Sequence, residues 1–254
     1  NITFMEQITN WRKNKNKISE HNIEIGSLNE QIGSLREVIG EHKEKISICE
    51  NYNRETPYYW VNQWINNNLP SYSNSFDDSV SQAQYDSKLW IIQQLKKIKQ
   101  CANEVHIDII GSWFGFPLTE MLSKILKIKQ IDLYDKDENC HKVVAQYINH
   151  FDPDFRIVQF GDFFERKDLR RRHIVINTSS EHMQDIVKMK EFYKDYPTTP
   201  LLVLQSNNYT SIHDHINCVN DENELIEKNQ IKTVYYKGKQ SLPLYDRFMV
   251  IGRW

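Results

Sequence analysis

The side chains best suited to acid–base chemistry follow an apolar run that ends at Asn177. The segment that begins there reads Asn-Thr-Ser-Ser-Glu-His-Met, a dense polar cluster in an apolar setting. The imidazole of His182 could take a proton from a bound molecule, which Glu181 would orient or bind. The same residues also fit a helix start, with Ser179 or Ser180 as the N-cap. Both interpretations can hold together, and we predict catalytic roles for Asn177, Glu181 and His182.

A second long polar segment, Gln205–His215, follows the next apolar run of the sequence. Loops at the ends of strands commonly bind substrates, so we expect this segment to face the acceptor molecule as well. His213, Asp214 and His215, with Cys218 just beyond, include potential metal ligands. A His-x-His pair without two further well-spaced ligands is weak support for zinc, and we predict no metal site.

The stretch Val105–Pro117 reads VHIDIIGSWFGFP and predicts a buried strand, a glycine-containing turn and the start of a helix. This is the first unit of a nucleotide-binding α/β fold. A dinucleotide turn needs a second glycine where this chain has Trp113, and no Gly-Lys-Ser/Thr of a P-loop is present. A ligand with an adenosine and no phosphates fits better, and we predict S-adenosylmethionine. The alternative is a tight turn in an unrelated α/β domain.

Strand and helix patterns alternate after this turn, which predicts a mostly parallel sheet. The predicted strands are 105–110, 130–134, 155–159, 173–177, 200–205, 231–236 and 244–252, and the predicted helices are 117–127, 138–149, 182–193 and 221–228. The last two strands flank Lys237–Ser241, which is too short for a crossover helix, so they must be antiparallel.

This element order resembles that of the class I S-adenosylmethionine-dependent methyltransferases over residues 80–254, and within the class it looks most like small bacterial and phage methyltransferase-like proteins. The resemblance implies a Rossmann-like sheet of seven strands that ends in an antiparallel hairpin. It also implies that Asp135 binds the ribose hydroxyls, with Asp137 as the fallback, and that Asp162 accepts from the adenine amino group while Phe163 packs on the purine. The alternatives are a helix cap at Asp135 and a solvent-facing turn at Asp162. The cofactor-binding residues predicted in this way are Gly111, Ser112, Trp113, Gly115, Asp135, Lys136, Asp162, Phe163, Asn177 and Ser179.

The Glu-His pair is similar to the one that follows the fourth strand in small-molecule O- and C-methyltransferases. The Asn-Pro-Pro-Tyr motif of many amino-group methyltransferases is not present after Ile176. We therefore predict methyl transfer to a small-molecule acceptor. Two alternatives remain open: aminocarboxypropyl transfer or cyclisation that releases methylthioadenosine, and a non-catalytic assembly module with a degenerate nucleotide fold.

Residues 1–52 predict a helical coiled-coil extension. Ile25, Leu28, Ile32, Leu35 and Ile39 alternate spacings of three and four, and IGSL occurs twice at an interval of seven. Ile at a and Leu at d favour a parallel two-stranded coiled coil, so we predict a homodimer through residues 18–49. The alternative is a helix folded back on its own domain.

Residues 53–100 predict an aromatic-rich linker and capping helices, and residues 101–254 the methyltransferase-like domain. Helices before the first strand commonly cap the ligand end of such sheets, which makes Gln82, Gln84, Tyr85 and Lys88 candidates for lining the site. The basic cluster at 166–172 is predicted to be a solvated connection. Tyr245-Asp246-Arg247 predicts an edge ion pair rather than a substrate contact.

Composition places further limits on function. The net charge of −2 gives no overall attraction to nucleic acid or to an anionic membrane, and neither is expected as a partner. No run of the sequence reaches the length of a membrane span. The four cysteines lie far apart without a Cys-x-x-Cys pair, so we expect free thiols and a cytoplasmic protein.

Overall fold

The computed structural model describes residues 4–51, 57–98, 104–166 and 172–254. In the first helix it describes the side chains of residues 13–36 and 39. The chain divides into two compact units, Asn1–Glu55 and Thr56–Trp254. The larger unit contains the whole sheet.

The first unit contains one described helix, α1 (Phe4–Asn51), as the sequence predicts. Five apolar side chains of its heptad pattern are between 45% and 59% exposed within the described structure: Ile25, Leu28, Ile32, Leu35 and Ile39. Over the part of the chain that is described, no helix combines the length and the apolarity needed to cross a bilayer.

Seven strands form a single sheet in the second unit. They are β1 (Val105–Ile110), β2 (Ile128–Tyr134), β3 (Arg156–Phe160), β4 (Ile174–Asn177), β5 (Leu201–Asn207), β6 (Thr233–Ser241) and β7 (Asp246–Arg253). Their order is β3-β2-β1-β4-β5-β7-β6. Strands β1 to β5 pair in parallel, and β7 is antiparallel to both β5 and β6. The predicted fold class, a mostly parallel seven-stranded sheet ending in an antiparallel hairpin, is confirmed.

The turn of the final hairpin lies further along the chain than predicted. Lys237–Ser241, predicted as the turn, belong to β6 and pair with residues 246–250 of β7. Strand β6 is at the edge of the sheet, where polar side chains are tolerated. Its polar composition therefore resembles that of a loop. The chain reverses after Ser241, where the Leu242 N–H donates to the Tyr245 carbonyl at 2.9 Å.

The described residues of the second unit also form six helices: α2 (Pro57–Asn68), α3 (Ser73–Ser79), α4 (Gln82–Leu95), α5 (Leu118–Ser123), α6 (Glu138–Phe151) and α7 (Glu222–Lys228). Short 3-10 helices occupy Pro70–Tyr72, Phe163–Glu165, Ser180–His182 and Ile186–Tyr193. Ser81, Asp137 and Asp221 cap α4, α6 and α7, each accepting a backbone N–H of the first turn.

Alternate strand residues enter two separate apolar cores, one on each face of the sheet. Ile174 and Ile176 of β4 belong to the core that includes Trp90 of α4 and Tyr147 of α6. Val175, between them, belongs to the core that includes Met189, Tyr193 and Phe248. Burial on both faces explains why the central strands read as continuous apolar runs.

The α-helix predicted at 182–193 is wrong, because the segment forms two short 3-10 helices. The carbonyl of Met183 accepts from Asn217 Nδ2 at 2.9 Å, and the N–H of Ile186 donates to Asn229 Oδ1 at 2.8 Å. In an α-helix these backbone groups would hydrogen-bond to other backbone groups of the same helix. Here the two asparagine side chains bind them instead, which interrupts the helix.

Arg166 and Arg172 belong to a buried ion cluster, so the predicted solvated connection is wrong at these two residues. Residues 167–171 of that connection lie outside the described residues. Arg172 donates to both Asp108 and Asp132, and Arg166 pairs with Asp108. Asp108 and Asp132 are directly opposite one another on β1 and β2, so their carboxylates share one face of the sheet. Gln130 Nε2 also donates to Asp132. Two cations of this basic cluster therefore neutralise core carboxylates.

Replacing Arg172 with Met should lower the free energy of unfolding by about 3–5 kcal/mol, because two buried carboxylates lose their shared counter-ion. Urea unfolding measures this loss. Arg156→Met, at an exposed position of β3, is the matched control and should change stability little. Equal losses in the two variants would contradict the cluster's role.

Candidate functional site

The carboxyl ends of β1, β2, β4 and β5 lie at one edge of the sheet because these strands are parallel. The strand order changes direction between β1 and β4, where neighbouring connections leave on opposite sides. In such sheets ligands bind outside this switch point. The predicted site residues lie in the turns that follow β1, β2, β3 and β4.

The turn after β1 has a backbone that side chains rarely tolerate. Gly111, Trp113 and Gly115 have φ values of +56°, +53° and +74°. A Cβ at Gly115 would stand 2.8 Å from Leu133 Cδ1, so glycine is required there for space as well as for φ. The Ser112 N–H donates to the Tyr134 carbonyl at 2.9 Å, which fixes the turn against β2.

Trp113 is an exception to the rule that such a conformation favours glycine. Its indole Nε1 donates to Ser75 Oγ of α3 at 2.9 Å, and its ring stacks on Phe114 with centroids 5.5 Å apart. These contacts hold the indole on the α3 side of the turn. Its backbone N–H is oriented differently and donates to Asp135.

Asp135 joins the turns after β1 and β2. Its Oδ2 accepts from the Trp113 N–H at 2.7 Å, and its Oδ1 accepts from the Asp137 N–H at 3.0 Å. Burial raises the pKa of this partly buried carboxyl. Asp137, the fallback candidate, caps α6 through Asn139 N and accepts from the Tyr72 hydroxyl at 2.6 Å. Asp135 is thus the acid that contacts the turn after β1, and Asp137 is the N-cap of α6.

Asp162 lies beyond β3 and pairs with Lys136, their charged atoms 2.9 Å apart. It also caps a 3-10 turn by accepting from the Phe164 N–H. Phe163, predicted to pack on a purine, is 2% exposed and makes an edge contact with Tyr134. The half-buried Phe164 has more free surface for a flat ligand.

The side chain of Met183 lies at the switch point, between Gly111 after β1 and Asn177 at the end of β4. A Cβ on Gly111 would meet its terminal methyl at 2.7 Å, and Asn177 Nδ2 donates to its sulfur at 3.2 Å. Asn177 Oδ1 accepts from the Ser179 N–H at 2.9 Å. The structure therefore brings Gly111, Asn177 and Ser179 together around a flexible thioether.

Glu181 is buried beside β5, where its Oε1 accepts from Asn207 Nδ2 at 2.7 Å. His182 is more exposed, and its Nδ1 lies 3.1 Å from Asp214 Oδ2 in the loop after β5. The ring of His215 meets that of His182 edge-on, with centroids 4.5 Å apart. The two polar segments predicted to face the acceptor therefore meet, although His213 is exposed.

Lys88 of α4 approaches the same loops from the helical side. Its Nζ donates to Gln84 Oε1 at 2.8 Å and to Thr178 Oγ1 at 3.5 Å, both uncharged acceptors. Desolvation, followed by the charge of Arg247, lowers the pKa of Lys88 to about 7. The sequence predicts Lys88 as a residue that lines the site. Its partner Thr178 lies 90 positions further along the chain, so the environment of the amine could not be predicted.

A scan of the sequence against protein-family models and against curated proteins finds no match. Among solved structures, the chain is similar to a protein from Bacillus halodurans C-125 provisionally described as a methyltransferase, with TM-score 0.50, 12% identity and coverage of 66% of this chain and 98% of that chain. It is also similar to the YcgJ protein of Bacillus subtilis, with TM-score 0.51, 10% identity and coverage of 66% and 98%.

A third similar structure is a protein from Galdieria sulphuraria, provisionally described as a sarcosine dimethylglycine methyltransferase. The TM-score is 0.52 at 9% identity, and the match covers 68% of this chain and 86% of that chain. The fold is that of the class I S-adenosylmethionine-dependent methyltransferases.

Lys88 should titrate near pH 7, because burial favours its neutral amine. Competitive acetylation across a pH series, read by mass spectrometry, measures the midpoint. Lys97, which is exposed and also donates to a glutamine, is the internal reference. We expect the reactivity of Lys88 to rise with a midpoint near pH 7. A midpoint no lower than that of the reference lysine would show that Lys88 is well solvated.

Proposed function

We propose that this protein transfers a methyl group from S-adenosylmethionine to a small-molecule acceptor. The observation that supports this most directly is the position of Asp135, which joins the turns after β1 and β2. Each of its carboxylate oxygens accepts one backbone N–H and keeps a further lone pair. A cis-diol can donate to both oxygens, so the residue suits a ribose.

The remaining residues of this edge fit a sulfonium nucleoside better than a dinucleotide. Trp113 occupies the sequence position where a dinucleotide fingerprint has its second glycine. The turn Gly111–Gly115 would hold the methionine end, and Asp162 would accept from the adenine amino group. Met183 must then leave Gly111, which its unbranched side chain allows. When bound, the cofactor supplies a methyl group activated by its positive sulfur.

The acceptor side of the proposed site is formed by Asn177, Glu181 and His182. The Nδ1 of His182 is held by Asp214, which leaves Nε2 with a lone pair directed away from that contact. Lys88 would present a largely neutral amine near the same loops at physiological pH. Methyl transfer needs alignment and the exclusion of water, and a base assists a hydroxyl or ammonium acceptor.

The same fold could support a different bond cleavage in the cofactor. Chromatography of the spent cofactor separates the alternatives, because methyl transfer leaves S-adenosylhomocysteine whereas aminocarboxypropyl transfer or cyclisation leaves methylthioadenosine. An assembly module without catalysis would bind neither nucleoside.

We also propose that α1 pairs with the same helix of a second copy. Its Ile and Leu residues alternate as a and d positions and are exposed within the described part of the unit. Because α1 is the described helix of that unit, it has no second helix there to cover the stripe. Ile at a and Leu at d favour two parallel strands.

Asp135→Ala should weaken S-adenosylmethionine binding by about 100-fold or more, because two hydrogen bonds to a charged acceptor are lost. Isothermal titration calorimetry measures the affinity. Asp135→Asn keeps one oxygen for the turn and should also bind weakly, which separates ligand contact from loss of structure. Asp154→Ala, exposed before β3, is the control. Full affinity in both Asp135 variants would refute the assignment.

The double substitution Leu28→Glu and Leu35→Glu should convert a dimer into a monomer, because it places charges in the proposed seam. Sedimentation equilibrium should give twice the chain mass of 30.4 kDa for the wild type and the single mass for the variant. Ser27→Glu with Ser34→Glu, one residue earlier in each repeat, is the matched control. A monomeric wild type would contradict the proposal.

A further inference from the structure

Three side chains able to bind a metal ion converge between the loops after β4 and β5. Glu181, His182 and His215 each offer one ligand atom, and these atoms all lie within 4.8 Å of one another. Ligands that share an ion at zinc-like distances stand about 3.4 Å apart, so small side-chain rotations would close the site. We propose that this cluster binds one divalent transition-metal ion.

The carboxylate of Glu181 is a second observation that points to a cation. The residue is 7% exposed, and its Oε2 is buried with no hydrogen-bond partner among the described residues. A buried acceptor without a partner is costly, and a bound cation would compensate for it.

Both histidines are oriented as metal ligands usually are. His215 Nδ1 lies 2.6 Å from the Tyr209 carbonyl, which can only accept, so this nitrogen carries the proton. His182 Nδ1 is held in the same way by the Asp214 carboxylate at 3.1 Å. Each ring therefore keeps its Nε2 lone pair for a ligand. Metal-bound histidines typically donate their other N–H to a carbonyl or carboxylate.

The two loops that carry the ligands are tied together by backbone contacts. The Asn217 N–H donates to the Glu181 carbonyl at 2.9 Å, and Asn217 Nδ2 donates to the Met183 carbonyl at 2.9 Å. Asn217 Nδ2 also donates to Asp185 Oδ1 at 2.9 Å. These contacts fix the spacing of the loops, so the ligands are largely in place before an ion arrives.

The donor set indicates the class of metal. Two imidazoles favour Zn²⁺, Fe²⁺, Co²⁺ or Ni²⁺ over Mg²⁺ and Ca²⁺, which prefer oxygen ligands. Three protein ligands leave at least one coordination position open, as in catalytic rather than structural sites. The sequence predicts no metal site because the His-x-His pair lacks further ligands nearby in the sequence. In the structure His213 is exposed, and the partners of His215 come from another loop.

The open position would face the acceptor side of the proposed methyltransferase site. A metal ion lowers the pKa of a coordinated hydroxyl, so the acceptor would be an alcohol or phenol that binds as its anion. This role rests on the proposed function, whereas metal binding does not. It also refines the part played by His182, whose Nε2 would hold the ion rather than take the acceptor proton.

Titration of the full, untagged chain with Co²⁺, followed by visible absorption, tests the site. We expect one equivalent to bind, with about 100-fold weaker binding in Glu181→Gln and His215→Asn. Glu181→Gln keeps an oxygen for Asn207, and circular dichroism verifies that each variant is folded. His213→Asn is the matched control in the same loop and should bind like the wild type.

Failure to saturate at about 1 mM Co²⁺, or equal losses in His213→Asn and His215→Asn, would overturn the metal site. Calorimetry with S-adenosylhomocysteine on the same samples separates the two proposals. Co²⁺ binding with this variant pattern supports the metal site even if the nucleoside does not bind. Nucleoside binding without saturable Co²⁺ binding supports the cofactor site alone and refutes the metal site.

Discussion

The arrangement of the cofactor edge depends on one carboxylate that bridges two turns. Asp135 accepts from Trp113 after β1 and from Asp137 at the start of α6. The Asp137 N–H positions the carboxylate, and the carboxylate binds the N–H of Trp113, which has a left-handed conformation that its side chain does not favour. Backbone strain of this kind persists where several neighbouring contacts stabilise the strained conformation. The carboxylate that organises the turn keeps a further lone pair on each oxygen for a ribose, so local structure and the proposed binding share one residue.

The acceptor side is organised by a different constraint, the burial of charge. Glu181 is enclosed beside β5, and Lys88 donates to uncharged partners. Both groups are driven toward their neutral forms unless a ligand or an ion supplies compensation. Asp108 of β1, by contrast, has two cationic partners, Arg166 and Arg172. Burial still raises the pKa of this carboxyl to about 6. Groups that burial perturbs without full pairing are typical of functional sites, whereas the paired cluster stabilises the sheet.

Much of this architecture could be predicted from the sequence, because apolar runs and their alternation with helices define the strands. The strand set and the antiparallel end follow from element order, and Asp135 follows from its place after β2. What could not be predicted depends on contacts distant in sequence. Asn217 and Asn229 interrupt the helix predicted at 182–193. Arg166 and Arg172, which the sequence predicts to be solvated, are buried because they pair with Asp108 and Asp132. His215 contacts His182 because β4 and β5 are neighbours in the sheet, which brings the loops that follow them together.

A crystal structure of the protein with S-adenosylhomocysteine tests the central claim most directly. The account predicts the ribose hydroxyls within about 2.6–3.2 Å of the Asp135 carboxylate, with the adenine beside Asp162 and the Met183 side chain moved off Gly111. A nucleoside bound elsewhere, or a crystal soaked at saturating ligand in which Met183 still covers Gly111 and Asp135 contacts only backbone, would contradict it.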